Sequence, residues 1–268
     1  MKLQEIISTL DKIGVDNSRE EAYLILEHVY EIPRAKILCE REKSYTSPTI
    51  FEILEKRSKN IPLQHIFGAW SFMGKEFFVS PDCLIPRPDT EILVEKAIEL
   101  TKDGDKVADL CTGSGCIGIS LAAYRKIDLT LMDISAGALE MAKKNAIAHE
   151  INAKFILGDI TKDMPNEKFD IITSNPPYIP SGDIENLSPE VKKEPLLALD
   201  GGLDGLDIIK FLLGEGLSYL NDGGKMLIEF GYDQENAMRS LLDGRSDVKS
   251  YEILYDYGKN PRCAVIYK

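Results

Sequence analysis

Histidine, tryptophan and basic charge are scarce in this 268-residue chain, and each shortage removes a class of function. The three histidines, His28, His65 and His149, are scattered and suggest no chemistry. The five cysteines, Cys39, Cys83, Cys111, Cys116 and Cys263, form an odd set with no paired spacing. Such a set argues against a disulfide or zinc framework and for reduced thiols in a cytoplasmic protein. Lys and Arg number 32 against 44 acids, a net charge of -12 with pI ≈ 4.9. That balance disfavours a broad phosphate-backbone footprint, which depends on Lys and Arg contacts, and suits a cationic ligand or a basic protein partner. No apolar run reaches the roughly 18 to 20 residues of a membrane helix, and Met1-Lys2-Leu3-Gln4-Glu5 has no signal-peptide pattern.

What remains is an ordinary globular composition, 44% hydrophobic and 28% charged, with ample length for a large core. The pattern divides it. Residues 1–61 read as a small helical bundle: Leu3, Ile6, Ile7 and Leu10 recur at helical spacing, and Gly14 stops that helix. Ser18 is a cap candidate for a second helix, Pro33 opens a third and Ser47-Pro48 a fourth. Residues 62–85 read as a β-hairpin linker, with strands Ile66–Phe72 and Glu76–Val79 around Met73-Gly74-Lys75. Trp70, Phe72, Phe77 and Phe78 supply its core or, alternatively, touch a substrate. The Pro86-Arg87-Pro88 loop follows, with Asp89 or Thr90 as cap for a helix ending near Leu100.

Residues 86–268 alternate strand and helix, the mark of a doubly wound α/β sheet. Strands are expected over 106–110, 129–132, 154–157, 169–173, 225–230, 248–254 and 263–267. Helices fit 114–124, 136–149, 206–220 and 234–242. Only a short turn region, Tyr257–Pro261, separates the last two strands, so they should pair antiparallel.

Chemistry-bearing residues gather at the strand ends. The run Asp109-Leu110-Cys111-Thr112-Gly113-Ser114-Gly115 leaves the first strand of this region and enters a helix. With Gly118 it also satisfies the GxGxxG dinucleotide pattern, so a nicotinamide-dependent oxidoreductase is one reading. Asp133 ends the next strand, followed by Ile134. It is placed either to accept from ribose hydroxyls or to build a turn, and Ser135 is the better helix cap. Asp159, followed by Ile160, is placed to reach an adenine amine or to form a Gly-Asp turn. Asp109 is unfavourable beside a pyrophosphate but attractive to a sulfonium or ammonium, so the three acids favour S-adenosylmethionine.

The fourth strand end carries Asn175-Pro176-Pro177-Tyr178. Two prolines bring no N–H donors and end the ladder. They leave carbonyl acceptors, beside the Asn175 amide oxygen and the flat face of Tyr178. Such a group suits a planar NH2, although a plain strand terminator explains the prolines too.

On these residues the chain resembles the class I S-adenosylmethionine-dependent methyltransferases, a Rossmann-like fold with a seven-stranded, mostly parallel sheet. Within them it resembles the PrmC/HemK family, which methylates a glutamine side-chain amide in peptide chain release factors. The resemblance rests on Asp109 to Gly115, Asn175 to Tyr178, Pro86 to Glu91, Glu194 to Gly202 and Gly258 to Arg262, in that family's order, and it spans nearly the whole chain. Cys111 stands where the family has glycine. The resemblance implies a helical substrate-recognition domain over 1–61. It implies donor binding by Asp109, Cys111, Thr112, Gly113, Ser114, Gly115, Asp133, Ile134, Asp159, Ile160 and Asn175. Catalysis and substrate binding then fall to Asn175, Pro176, Pro177 and Tyr178, with the Asn175 oxygen and the Pro176 carbonyl accepting from the glutamine NH2 and Tyr178 packing on its amide. Arg87 and Glu91 either position the donor or lock the domain junction, and Arg262 either joins them or simply caps a strand end. Adenine amino-methyltransferases of DNA or RNA use a similar motif, but the acidic chain disfavours them.

Overall fold

A computed structural model describes all residues, Met1–Lys268, as two compact units. The smaller unit comprises Met1–Gly68 with Ser188–Lys193, and the larger comprises Ala69–Leu187 and Glu194–Lys268.

Five helices build the smaller unit: α1 (Leu3–Lys12), α2 (Ser18–Tyr30), α3 (Arg34–Cys39), α4 (Pro48–Arg57) and α5 (Leu63–Phe67). Ile6, Leu10, Ile25, Leu26, Ile37 and Ile50 fill its core. Ser47 caps α4 by accepting from the Thr49 N–H. Ser18 does not cap α2; its hydroxyl donates instead to the Val15 carbonyl. Residues Ile66 and Phe67, expected in a strand, end α5, and Gly68 at φ 75° closes that helix in the left-handed region.

The smaller unit also buries a charge. Arg57 is fully enclosed, and its guanidinium donates to both oxygens of Glu21 at 2.8 Å, to the Ile61 carbonyl at 2.8 Å and to Glu190 at 2.5 Å.

The larger unit opens with a hairpin, β1 (Ala69–Phe72) and β2 (Lys75–Phe78). Met73 and Gly74 both have positive φ, which matches the twist of a two-residue hairpin turn. Phe72 and Phe77 are core residues, Trp70 packs on Val79, Cys83 and Ala138, and Phe78 lies under Lys144. The hairpin aromatics are therefore structural. A 3-10 turn (Pro88–Thr90) then leads into α6 (Glu91–Leu100) with no side-chain cap from Asp89 or Thr90.

The remaining chain alternates: β3 (Lys106–Leu110), α7 (Cys116–Tyr124), β4 (Asp128–Asp133), α8 (Ala136–Ala148), β5 (Ala153–Leu157), β6 (Phe169–Ser174), α9 (Asp207–Leu213), β7 (Leu220–Glu229), α10 (Glu235–Leu242), β8 (Ser250–Tyr255) and β9 (Pro261–Tyr267). The strands form one sheet in the order β5-β4-β3-β6-β7-β9-β8, parallel except for β9, which runs antiparallel to both neighbours. Helix α9 is half its expected length. Gly214 leaves helical geometry and a 3-10 turn (Glu215–Tyr219) takes over.

Order reverses between β3 and β6, where chain crossovers leave in opposite directions and open a crevice at the carboxyl ends. Leu110 and Ser174 pair across that point, so the loop after β3 and the motif after β6 become neighbours.

Candidate active site

A cavity of about 420 Å³ lies at the carboxyl ends of β3, β4, β5 and β6, entirely within the larger unit. Of the expected donor-binding residues, Cys111, Thr112, Gly113 and Ser114 form its wall, with Asp133, Ile134, Asp159 and Ile160 beside them. Asn175 and Pro177 reach it from the end of β6. Asp109, Gly115, Pro176 and Tyr178 do not.

Asp109 is the clearest correction. It is fully buried, and its carboxylate is spent on the loop it precedes. It accepts from the hydroxyls of Thr112 at 2.5 Å and Thr173 at 2.9 Å and from the Gly118 N–H at 3.1 Å. Burial, only partly offset by these donors, pushes its carboxyl up to about 6. Asp109 shapes the loop and does not face a cation.

Close packing explains two glycines of the loop and the helix behind it. A Cβ on Gly115 would stand 2.7 Å from Ile119 Cδ1, and one on Gly118 would meet Leu131 Cδ2 at 2.6 Å and Asp109 Cβ at 3.0 Å. The glycine pattern thus packs α7 against the sheet. Cys111 adopts φ 57°, a left-handed conformation natural to glycine and strained for a thiol-bearing residue.

Asp133 is only half free. One oxygen accepts the Gly113 N–H at 2.8 Å and the other the Ser135 N–H at 2.9 Å, which holds the carboxylate at the wall with lone pairs to spare. Ser135 caps α8 through the Ala138 N–H. Asp159 sits in a turn: its oxygens take the Thr161 N–H and hydroxyl and the Lys162 ammonium at 2.6 Å, and these bonds hold its carboxyl down at about 2. The turn reading fits Asp159 better than a free acceptor for an adenine amine.

At the β6 end, Asn175 Nδ2 donates to the Thr90 hydroxyl at 3.4 Å, while Oδ1 is buried with no partner. A buried unsatisfied acceptor costs about 1–3 kcal/mol, and at a cavity wall it marks a place for a donor from outside the protein. Pro176 is buried behind the wall. Tyr178 packs on the sheet core and donates to Glu229 at 3.4 Å, so neither the carbonyl of Pro176 nor the ring of Tyr178 is brought to the cavity.

A second loop braces the motif from behind. Ile179 bridges to Asp200, the Gly201 N–H donates to Ile179, and Gln234 donates to the Tyr178 and Gly205 carbonyls. A Cβ on Gly205 would lie 2.3 Å from the Tyr178 carbonyl oxygen. The glycines after Asp200 thus let this loop sit directly on the motif.

Glu229 escaped sequence reading, and the contacts of Arg87, Glu91, Glu194 and Arg262 were not legible there. Buried Glu194 receives Arg87 and the Ile85 N–H, which fixes the Pro86–Pro88 entrance strand. Glu91 accepts the Met73 N–H and pins the hairpin turn rather than reaching the cavity. Glu229, last in β7, is buried beside Tyr178, and Arg262 reaches Asp89 at 3.3 Å and Asp256 at 3.4 Å. An acid inside the apolar run Met226–Phe230 was the available signal for Glu229.

The sequence matches two family descriptions, the Methyltransferase small domain over residues 88–188 and the PrmC N-terminal domain over residues 2–68. It is similar to the release factor glutamine methyltransferase of Moorella thermoacetica, 35% identical with 99% of this chain and 97% of that protein covered. The protein of the same name from Coxiella burnetii is 39% identical, with 86% of each covered. Among solved structures, the 16S rRNA N2 G1207 methyltransferase of Thermus thermophilus, in complex with AdoMet and guanosine, aligns at TM-score 0.55 and 18% identity over 75% of this chain and 49% of that one. That last likeness shows the shared fold.

Proposed function

Because this chain belongs to the release factor glutamine methyltransferase family, we propose that it transfers a methyl group from S-adenosylmethionine to the side-chain amide nitrogen of the glutamine in the Gly-Gly-Gln tripeptide of a peptide chain release factor. The buried, partnerless Oδ1 of Asn175 at the cavity wall carries this reading. A glutamine NH2 entering there supplies the missing donor.

The residues present fit the donor. Asp133, fixed by two backbone N–H groups, offers acceptors for a ribose diol at the end of β4. The loop Cys111–Ser114 lies between it and Asn175 on the wall. When bound, S-adenosylmethionine supplies an electrophilic methyl on a sulfonium.

An amide nitrogen is a poor nucleophile because its lone pair is delocalised into the carbonyl. A rigid acceptor on one N–H orients the nitrogen and becomes a stronger partner as positive charge develops on it. Asn175 cannot act as a base, so in this reading the proton leaves after transfer. The reading rests on Asn175; the second acceptor expected of Pro176 and the stacking expected of Tyr178 lack support in the geometry. A substrate that works in translation makes the cytoplasm the proposed compartment.

Mass spectrometry of a recombinant release factor, incubated with this protein and methyl-labelled S-adenosylmethionine, tests the reading. One labelled methyl on the glutamine of Gly-Gly-Gln is expected. An unmodified release factor, with methylated adenine formed in added nucleic acid, would overturn it.

A further inference from the structure

The cavity wall is built in two ways. Asp133, Asp159, Asn175 and the loop after β3 reach it from strand ends that the sheet holds in place. Leu84, Ile85, Pro86 and Arg87 line it too, but they lie between β2 and the 3-10 turn before α6 and belong to no sheet. Proline has no N–H, so Pro86 and Pro88 bring no backbone donor to this segment. The hydrogen bonds that tie residues 84–88 to distant parts of the chain both end on Glu194. The Ile85 N–H donates to Oε2 at 2.9 Å, and the Arg87 guanidinium donates to Oε1.

The Glu194 side chain is 1% exposed. A carboxylate so enclosed is costly unless donors meet it, and here each oxygen has one. Glu194 itself does not line the cavity, but both of its partners do.

On its other side Glu194 leads into the loop that braces the motif. Pro195, Leu197 and Ala198 line the same cavity. The N–H of Ile179, directly after Tyr178, donates to the Leu199 carbonyl at 3.0 Å, and the Gly201 N–H donates to the Ile179 carbonyl at 2.9 Å. One carboxylate thus fastens the entrance segment to the loop that holds Asn-Pro-Pro-Tyr.

We infer that Glu194 is a positioning residue for methyl transfer, holding the wall at residues 84–88 in register with the motif. The inference rests on the function proposed above and extends it to a residue outside the motif. Transfer requires the methyl and the amide nitrogen at near-attack distance, and a misplacement of about 1 Å can cost on the order of 10²-fold. Donor affinity is less sensitive to that error. Asp133 is fixed independently, by the N–H groups of Gly113 and Ser135.

Three readouts test the role: amide hydrogen exchange at Ile85, calorimetric affinity for S-adenosylhomocysteine, and kcat with a recombinant release factor. In Glu194→Ala, Ile85 should exchange at least about ten-fold faster. Its kcat should fall at least about ten-fold, with affinity held within about three-fold. In Glu194→Gln, the one oxygen serves one donor and the NH2 opposes the other, so kcat should fall too. Adding Arg87→Met removes the opposed guanidinium and keeps the Ile85 bond. The double variant should therefore turn over at least about three-fold faster than Glu194→Gln alone. Unchanged exchange at Ile85, wild-type kcat in Glu194→Ala, or a loss carried by affinity alone overturns the inference, as does a double variant no faster than Glu194→Gln. Should Glu194→Ala fail to fold, Glu194→Gln with and without Arg87→Met decides alone. Wild-type protein that leaves the release factor unmethylated sinks the underlying reading. An active wild type whose kcat survives in Glu194→Ala sinks only the role of Glu194.

Discussion

Two of the buried charged clusters in this protein are finished differently. In the helical unit, Arg57 is enclosed, yet its donors meet two oxygens of Glu21, a carbonyl and Glu190. Behind the β6 motif, Glu229, Arg262 and Asn175 each keep a buried atom with no partner. A protein tolerates a buried ion when hydrogen bonds complete it, and pays for one left incomplete. The complete cluster therefore reads as architecture, and the incomplete one as a place where something else must bind or a proton must move.

Two substitutions break this comparison most directly. Arg57→Met leaves Glu21 half-buried without a cation, and such losses cost about 3–5 kcal/mol. Denaturant unfolding should show that loss. A change under about 1 kcal/mol would mean the Arg57 cluster is a solvated surface pair. Asn175→Ala removes an atom that already lacks a partner, so the same unfolding experiment should show little change. Turnover, in contrast, should drop by about 10²–10³, the range for losing one donor or acceptor aimed at developing charge. Unchanged affinity for S-adenosylhomocysteine would confirm that the donor site survives.

Asp109 sharpens the comparison, being buried and fully bonded yet carrying a desolvation cost. Its carboxyl is raised to about 6 in the folded chain against an ordinary 3.8. The folded state thus holds more protons than the unfolded state between those values. Wild-type stability from this group is greatest at low pH and falls as pH climbs from about 4 to 6, by on the order of 3 kcal/mol. Asp109→Asn does not titrate, though it gives Gly118 one acceptor fewer. The stability difference between variant and wild type should therefore move toward the variant by about that amount from pH 4 to pH 7. A difference that stays flat would show that the carboxylate is not desolvated as the structure has it.

Local signals were legible in the sequence, and long-range ones were not. The apolar runs of β3 and β6, the glycines after β3 and the double proline are all read from neighbours in the chain. The seven strands and the antiparallel last pair followed from such runs. What an acid does is another matter. Asp109 looked free, but its donors Thr173 and Gly118 come from β6 and α7. Asp159 was open between a ligand acceptor and a Gly-Asp turn, and Thr161 and Lys162 hold it in the turn. Glu229 gained no role because the Tyr178 hydroxyl reaches it from a distant segment. Gly214 shortened α9 where apolar spacing alone suggested continuation.

The smallest expected effect concerns Cys111, the thiol that stands in the left-handed region on the cavity wall. A non-glycine residue there carries backbone strain of order 1 kcal/mol, and burial leaves the thiol strongly protonated and without a nucleophilic role. Cys111→Gly removes the strain but also frees the unfolded chain, which costs about 0.5–1 kcal/mol in the opposite sense. The two nearly cancel, so unfolding should shift by less than about 1 kcal/mol. The thiol's place on the wall predicts a separate result. Removing it widens the pocket beside Asp133, and S-adenosylhomocysteine affinity should change by no more than about three-fold, because a small apolar contact is worth roughly 1 kcal/mol or less. A ten-fold loss of affinity would show that Cys111 contacts the donor directly and belongs with the incomplete, ligand-awaiting part of the site rather than with the finished scaffold around Asp109.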